Sequence, residues 1–490
     1  MSSYLFLKME STQPTPEESQ ESKSVLISQR YLLYAMSAFA VFTSYCLRMS
    51  LSIAIHEISE DDMEKRYDDN PCPGIKAPPM SFQNDSRNVY SWSKSTRELM
   101  ASSFYWGYFL SHLPAGFLAD QFGGKHVVSA SIVGGACISL VIPTTIVFTN
   151  GRYQTVFLLR VLEGIFHGAV HPSICAILAQ WTLKKDRAAV MSFVYASAPM
   201  GIATNTLVGK EIMELTHTWT TPFYLFGALG ILMFLLWHFL CYSSPESHPW
   251  ITTQEKEFLR NGLDYDLVHT WKKVPWGEMF RSGPLWGLLL AELGHDWGWY
   301  TMVEHLRNYI KEMLRFDSRH YTIWTSLPFF FTWVMALTVG CFSDWLVYDR
   351  LMDITLARKI FMTISQLGPA LCLLFASFAE CERLKSVVWF VAAMSAMGFY
   401  YSSTKTNSLD LAPNYAGIVT GIINGFAVFM GMLSPIMVGS FVTRNTMAEW
   451  QNIFWLTFFV FLVTTLMFLV FGSGEKQPWN KLKKIQIPIL

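Results

Sequence analysis

Apolar residues fall in long blocks separated by short charged segments, and twelve of these blocks are long enough to form a helix that crosses a bilayer. Such a helix takes about 20 mainly apolar residues, because lipid offers no partner for exposed backbone groups. The pattern predicts spans over Tyr31 to Ala54, Leu99 to Ala119, Val127 to Phe148, Tyr153 to Trp181, Ala188 to Lys210 and Pro222 to Tyr242. Six more follow over Pro284 to Ile310, Tyr321 to Val347, Lys359 to Ala379, Val387 to Thr406, Tyr415 to Val442 and Asn452 to Phe471. The longest connection inside the bundle comes after the sixth span and is charged and turn-rich, with Pro245, Glu246, Lys272, Lys273 and Pro275. It splits the chain into two sets of six. The expected organisation is a tail at 1–30, a first half at 31–242 with a long loop at 56–97, a linker at 243–283, a second half at 284–472 and a tail at 473–490.

Composition agrees with an all-α membrane protein. Only 15% of the 490 residues are charged and 51% are hydrophobic, against about 25% charged in soluble domains. The formal net charge is zero, so a basic surface for nucleic acid has no support. The first 30 residues are polar, carry Pro14 and Pro16 and lack a short apolar core before a cleavage site. They read as a disordered tail without a cleaved signal peptide. Most of the eight cysteines lie in apolar stretches without metal-type spacing, where a thiol acts as a small apolar side chain. Cys72 and Cys381 lie outside those stretches on one side of the bundle, and a disulfide between them is left open.

Orientation follows from Lys and Arg in the short loops. Lys125, the cluster Lys184, Lys185 and Arg187, the central linker, Arg350, Arg358 and Lys359 fall on one side, with Lys23 and Arg30. Both termini are therefore expected in the cytoplasm. The loop at 56–97 should face the lumen or exterior and carries the chain's single glycosylation sequon, at Asn84.

After the second span the chain reads Gly116-Phe-Leu-Ala-Asp120-Gln-Phe-Gly123-Gly124-Lys125, and Gly340-Cys-Phe-Ser-Asp344 echoes it six spans later. Glycines permit a tight turn between two helices, and the acid can accept hydrogen bonds from a neighbouring helix terminus. The pair resembles the signature loop of major facilitators, which implies the major facilitator fold with twelve transmembrane helices in two halves.

Charges inside the spans mark candidate chemistry. An Arg at the centre of a spanning helix costs roughly 2.5 to 3.5 kcal/mol on insertion scales, so it faces the bundle interior or a water-filled cavity. Arg48 lies well inside the first span. Arg160, Glu163, His167 and His171 follow one another at steps of three, four and four, which predicts one shared helix face. Two interior guanidinium groups offer a fixed fork of donors to a carboxylate or phosphate. The alternative is that they pair with acids such as Glu163 and only hold helices together. Lys405 lies near the end of the tenth span, where it either snorkels to the interface or adds a positive charge beside an anion path. Gly164 and Gly168 permit close helix contact.

Five stretches resemble the solute carrier family seventeen, the anion and cation symporter branch of the major facilitators. They are Tyr45 to Ala54, Ser103 to Tyr108, Arg160 to Gly164, Gly294 to Tyr300 and Leu409 to Gly417. The resemblance implies that Arg48 and Arg160 line an anion site, with Tyr108, His295, Tyr300 and Lys405 as further substrate contacts. It also implies proton coupling near Glu163, although relatives that carry sialic acid have a second glutamate where this chain has His167. A histidine carried after the following proline is Cys175 here. Glutamate-specific relatives have an arginine in place of His295, and asparagine is usual in place of Lys405.

The resulting expectation is a secondary active transporter of small organic anions by alternating access, with Glu163 and His167 as a proton-coupling pair. Sodium-coupled phosphate or anion cotransport, an anion channel and a transporter-like sensor are the alternatives. The spans show no nucleophile, base or metal-ligand constellation of an enzyme. No cofactor is expected beyond a coupling ion, H+ or Na+, and no partner beyond the solute and the bilayer. The home membrane is the plasma membrane or a lysosomal or vesicular one.

Overall fold

A computed structural model describes residues 28–58, 90–263, 273–314, 316, 318–379, 382–443 and 446–481. The sequon at Asn84 and the cysteines Cys72 and Cys381 lie outside the described residues. Among the described residues, twelve helical segments are of membrane-spanning length. In the first half they are α1 (Gln29–Ile58), α2 (Lys94–Phe122), α3 (Gly124–Phe148), α4 (Tyr153–Trp181), α5 (187–216) and α6 (Thr221–Leu240). In the second they are α7 (Gly283–Asn308), α8 (Ser318–Tyr348), α9 (Ile354–Ser377), α10 (Arg383–Leu411), α11 (Ala416–Phe441) and α12 (Met447–Phe471). The start of α1 and the end of α12 lie on one side, called the terminal side below.

Nine of the described helices are long and apolar enough to cross a membrane by hydropathy alone. The other three, α2, α5 and α7, fall short for identifiable reasons. α7 carries Glu292, His295 and Asp296 at interior positions, α5 dilutes its apolar run with Ser192, Ser197, Thr204 and Asn205, and α2 opens and closes on polar residues. Helix ends exceed the apolar blocks where capping continues the hydrogen bonding. α2 starts at Lys94 rather than Leu99 because the Ser93 hydroxyl accepts from Thr96 N–H at 3.2 Å. A capping box of Thr446 and Glu449 opens α12. Within the linker, Thr253–Gly262 forms a helix whose Glu255 accepts from the backbone N–H groups of Gln29 and Arg30 at 3.1 Å, at the start of α1.

The fourth helix of each half is interrupted at mid-span. α4 breaks between Gly168 and Val170, and α10 passes through a 3-10 turn, Gly398–Tyr400, into a π-helical turn, Tyr401–Lys405. Such turns free backbone groups and rotate the side chains that follow. As a consequence, Arg160, Glu163 and His167 stay together before the α4 break, whereas His171, expected on the same face, turns to the bundle centre. Gly164 lets α4 cross α2 closely, since a Cβ there would fall on the Phe104 carbonyl oxygen. Large side chains fill both halves, with Trp181, Trp237, Tyr195, Phe390, Phe454 and Phe461 fully buried.

Candidate functional site: a central cavity between the halves

A cavity lies where the halves meet, lined by residues of both. Among the described residues, its first-half wall holds no Asp, Glu, Lys or Arg and consists of Tyr45 from α1, Tyr108 and His112 from α2, His171 from α4, and Tyr195 and Ala198 from α5. Charge comes from the second half. α7 contributes Glu292, His295, Asp296, Trp299 and Tyr300, α10 contributes Tyr400, Tyr401 and Lys405, and α11 contributes Asn424 and Val428. Glu292, Asp296 and Tyr300 share a face because they follow one another at steps of four.

Lys405 is 3% exposed and reaches no interface, so the snorkelling account fails. The π-helical turn carries it inward, where Nζ lies 3.6 Å from Glu292 Oε1 and 5.1 Å from the centre of the Tyr195 ring. Glu292 Oε1 also accepts from the Tyr400 hydroxyl at 2.5 Å, while Oε2 is buried without a hydrogen-bond partner among the described residues. His295 stacks on Tyr400, with ring centres 3.5 Å apart and planes 3° from parallel.

Arg48 sits one side-chain layer behind the cavity. Its guanidinium lies 4.8 Å from the ring centres of Phe104 and Tyr105 and between 5.4 and 5.6 Å from those of Tyr45, Tyr300 and Tyr108. Ring faces attract a cation, but Nη1 and Nη2 find no hydrogen bond among the described residues. Arg160 is further from the cavity. Its Nη1 donates to Glu163 Oε2 at 2.7 Å and to the Arg48 carbonyl at 3.3 Å. His167 packs edge-on against Phe104, with ring centres 5.8 Å apart. The expected anion-site residues thus form two groups: Tyr108, His295, Tyr300 and Lys405 line the cavity, and Arg160, Glu163 and His167 make a cluster beside it, bridged by Arg48.

On the terminal side the signature loops close the halves together. Asp120 accepts from Gly417 N–H at 3.1 Å and Ile418 N–H at 2.7 Å, the first turn of α11. Asp344 accepts from Ala188 N–H at 3.0 Å and Ala189 N–H at 2.7 Å, the first turn of α5. A carboxylate at a helix N-terminus answers both the unpaired N–H groups and the helix dipole. Gly116 has no room for a Cβ, which would meet the Gly417 carbonyl oxygen. Gly123, at φ 91°, turns α2 into α3, and the Lys125 N–H donates to Ser243 Oγ at 3.0 Å beyond α6. Gly124 packs on Ile177.

Arg187 and Arg358, expected among the loop charges, are buried instead. Arg187 Nη1 lies 3.3 Å from Asp410 Oδ1, and Arg358 Nε donates to Asp410 Oδ2 at 2.9 Å. Arg358 Nη1 also donates at 2.7 Å to the Ser402 carbonyl within the π-helical turn that carries Lys405. Both arginines flank apolar blocks and so resemble loop charges in the sequence; only their shared contact with Asp410 shows otherwise. On the opposite side Tyr105 donates to Glu304 at 2.5 Å and Arg307 to the Ser52 carbonyl at 2.9 Å, again across the halves. Glu292 and Asp296 are cavity residues that the sequence motifs do not single out. Their spacing of four inside an apolar block is the available signal.

Comparison with known proteins agrees with this architecture. The Major Facilitator Superfamily profile matches residues 37–435. Human sialin is 32% identical over 476 residues, covering 96% of this chain and 95% of sialin. A putative inorganic phosphate cotransporter of Drosophila melanogaster is 27% identical and covers 95% of this chain and 88% of its own. Human vesicular glutamate transporter 2 is 27% identical, with 92% and 75% covered. Among solved structures, the proton:xylose symporter XylE superposes with a TM-score of 0.67 at 12% identity, covering 92% of this chain and 98% of that one, which speaks for the fold. Two six-helix halves latched by paired signature loops around a charged central cavity, and relatives matched along nearly the whole length, make this chain a multi-pass membrane transporter of the major facilitator superfamily, in its solute carrier family seventeen branch.

Proposed function

We propose that this protein moves small organic anions across a membrane by alternating access, coupled to protons. The observation that carries the reading is Lys405, a cation buried at the central cavity between the halves. A fixed positive charge in a low-dielectric site attracts an anion far more strongly than it would in water. Arg48 stands behind the same cavity with both terminal nitrogens unpaired among the described residues, available once side chains rearrange around a ligand. A relative named for glutamate supports an organic anion, and one named for inorganic phosphate supports an anionic solute.

A gradient supplies the work. One proton moving down a tenfold gradient yields about 1.4 kcal/mol, and each charge crossing 100 mV yields about 2.3 kcal/mol. The basic loops support cytoplasmic termini, and resemblance supports a lysosomal, vesicular or plasma membrane home. The paired latches on the terminal side and the contacts on the opposite side would then break in turn.

The test is uptake by purified protein in liposomes, using labelled sialic acid, L-glutamate and phosphate under imposed proton, sodium and voltage gradients. Saturable accumulation driven by a proton gradient is expected. Accumulation driven only by sodium favours the cotransporter reading that the phosphate-named relative suggests. Conductance without saturation indicates a channel, and binding without uptake a sensor.

A further inference from the structure

We infer that Glu292 and Lys405 form an ion pair that the transported anion displaces, and that the released Glu292 carries the coupled proton. The inference rests on the proposed anion site and names its coupling group. In the structure Glu292 holds the place an anion would take. Its Oε1 lies 3.6 Å from Lys405 Nζ and accepts from Tyr400, whereas Oε2 is buried and unpartnered among the described residues. Lys405 has no other ion pair among the described residues, so an entering carboxylate or phosphate competes with Glu292 for it.

Electrostatics then selects a proton. The titratable groups that line the cavity with Glu292 are His295, Asp296 and Tyr300 on α7, Tyr400, Tyr401 and Lys405 on α10, and the tyrosines Tyr45 on α1, Tyr108 on α2 and Tyr195 on α5. Across the cavity stand His112 on α2 and His171 on α4, with Arg48 behind, and α11 adds the neutral Asn424. Among the described residues, Lys405 is the one cation in the cavity wall, and Glu292 and Asp296 are its carboxyl groups. An entering anion adds a further negative group beside them. Like charges at close range cannot all remain ionised. Glu292 is the group that loses its cation, so it takes a proton from hydronium on the side open to the acidic compartment: one O–H bond of hydronium breaks, one O–H bond of the carboxyl forms, and water is left. When the anion leaves on the other side, Lys405 reclaims Glu292 and the proton is released there. The step places coupling on α7, apart from the Glu163 and His167 cluster, whose acid already has Arg160 at 2.7 Å.

The experiment is proton uptake by the purified full-length protein in weak buffer, read with a pH-indicator dye as sialic acid, L-glutamate and phosphate are added in turn, alongside binding of the same probes. Wild-type protein is expected to take up about one proton per bound anion, and Glu292→Gln none. An equal uptake by Glu292→Gln, or none by wild type despite binding, overturns the inference while leaving the anion site intact. Failure of all three probes to bind overturns the anion site itself. Should Glu292→Gln not fold, Glu292→Asp serves: its shorter carboxyl keeps the proton but weakens the Lys405 contact, so uptake shifts along the pH axis. An unshifted profile also overturns the inference.

Discussion

Asp120 and Asp344 occupy matching places in the two halves, and each carboxylate caps the first turn of the fifth helix of the opposite half. The terminal side is thus held by two equivalent latches rather than by one. Because each latch is a set of charge-assisted hydrogen bonds from backbone N–H groups to a carboxylate, its strength depends on the negative charge.

Removing that charge should open the terminal side. Asp120→Asn or Asp344→Asn is expected to weaken closure by about 1 to 2 kcal/mol, a factor of about 5 to 30 in the population of the open form. Cys175 reports it, since the buried thiol lies 3.9 Å from Ser408 Oγ across the halves. In a protein keeping Cys175 as its only cysteine, maleimide labelling should accelerate by that factor. An unchanged labelling rate would reject the latch.

Asp410 answers to a different rule. It is the shared partner of two buried guanidinium groups, so Asp410→Asn leaves both without their counter-charge. Loss of about 3 to 5 kcal/mol of stability is expected, seen as a clear fall in the melting midpoint in detergent. Arg187→Gln should cost less, because Arg358 still holds Asp410. Equal melting of the two variants would contradict this ranking.

Lys405→Met removes the cavity cation. A hydrogen bond to a charged group contributes about 1.5 to 3 kcal/mol, so the KM for the transported anion should rise about 10- to 150-fold. Counterflow of labelled substrate measures it. A KM within twofold of wild type would return Lys405 to a structural role.

Arg48 separates stability from function. Its guanidinium is buried, caged by rings and unpaired at both ends among the described residues. An uncompensated buried charge is costly, so Arg48→Met should raise the melting midpoint while uptake falls by at least about tenfold. A variant that melts lower and transports normally would show that the cage exists for packing.

The sequence by itself determined the class of the molecule. Twelve apolar blocks, a charged divide after the sixth and two copies of one signature loop leave little freedom, because a bilayer accepts only segments that satisfy their own backbone. The rarity of charge inside spans also singles out Arg48, Arg160, Glu163 and Lys405 from the residue pattern alone. What tertiary structure decided is which charge meets which. Arg187 and Arg358 sit beside loop residues in sequence, yet both bury on Asp410, and Arg160 pairs with its own helix neighbour while Lys405 meets Glu292 from another helix. The breaks in α4 and α10 turn His171 and Lys405 inward by rotations that no regular period encodes. A hydropathy pattern records how a residue meets lipid, and electrostatic pairing depends on distances between helices that are far apart along the chain.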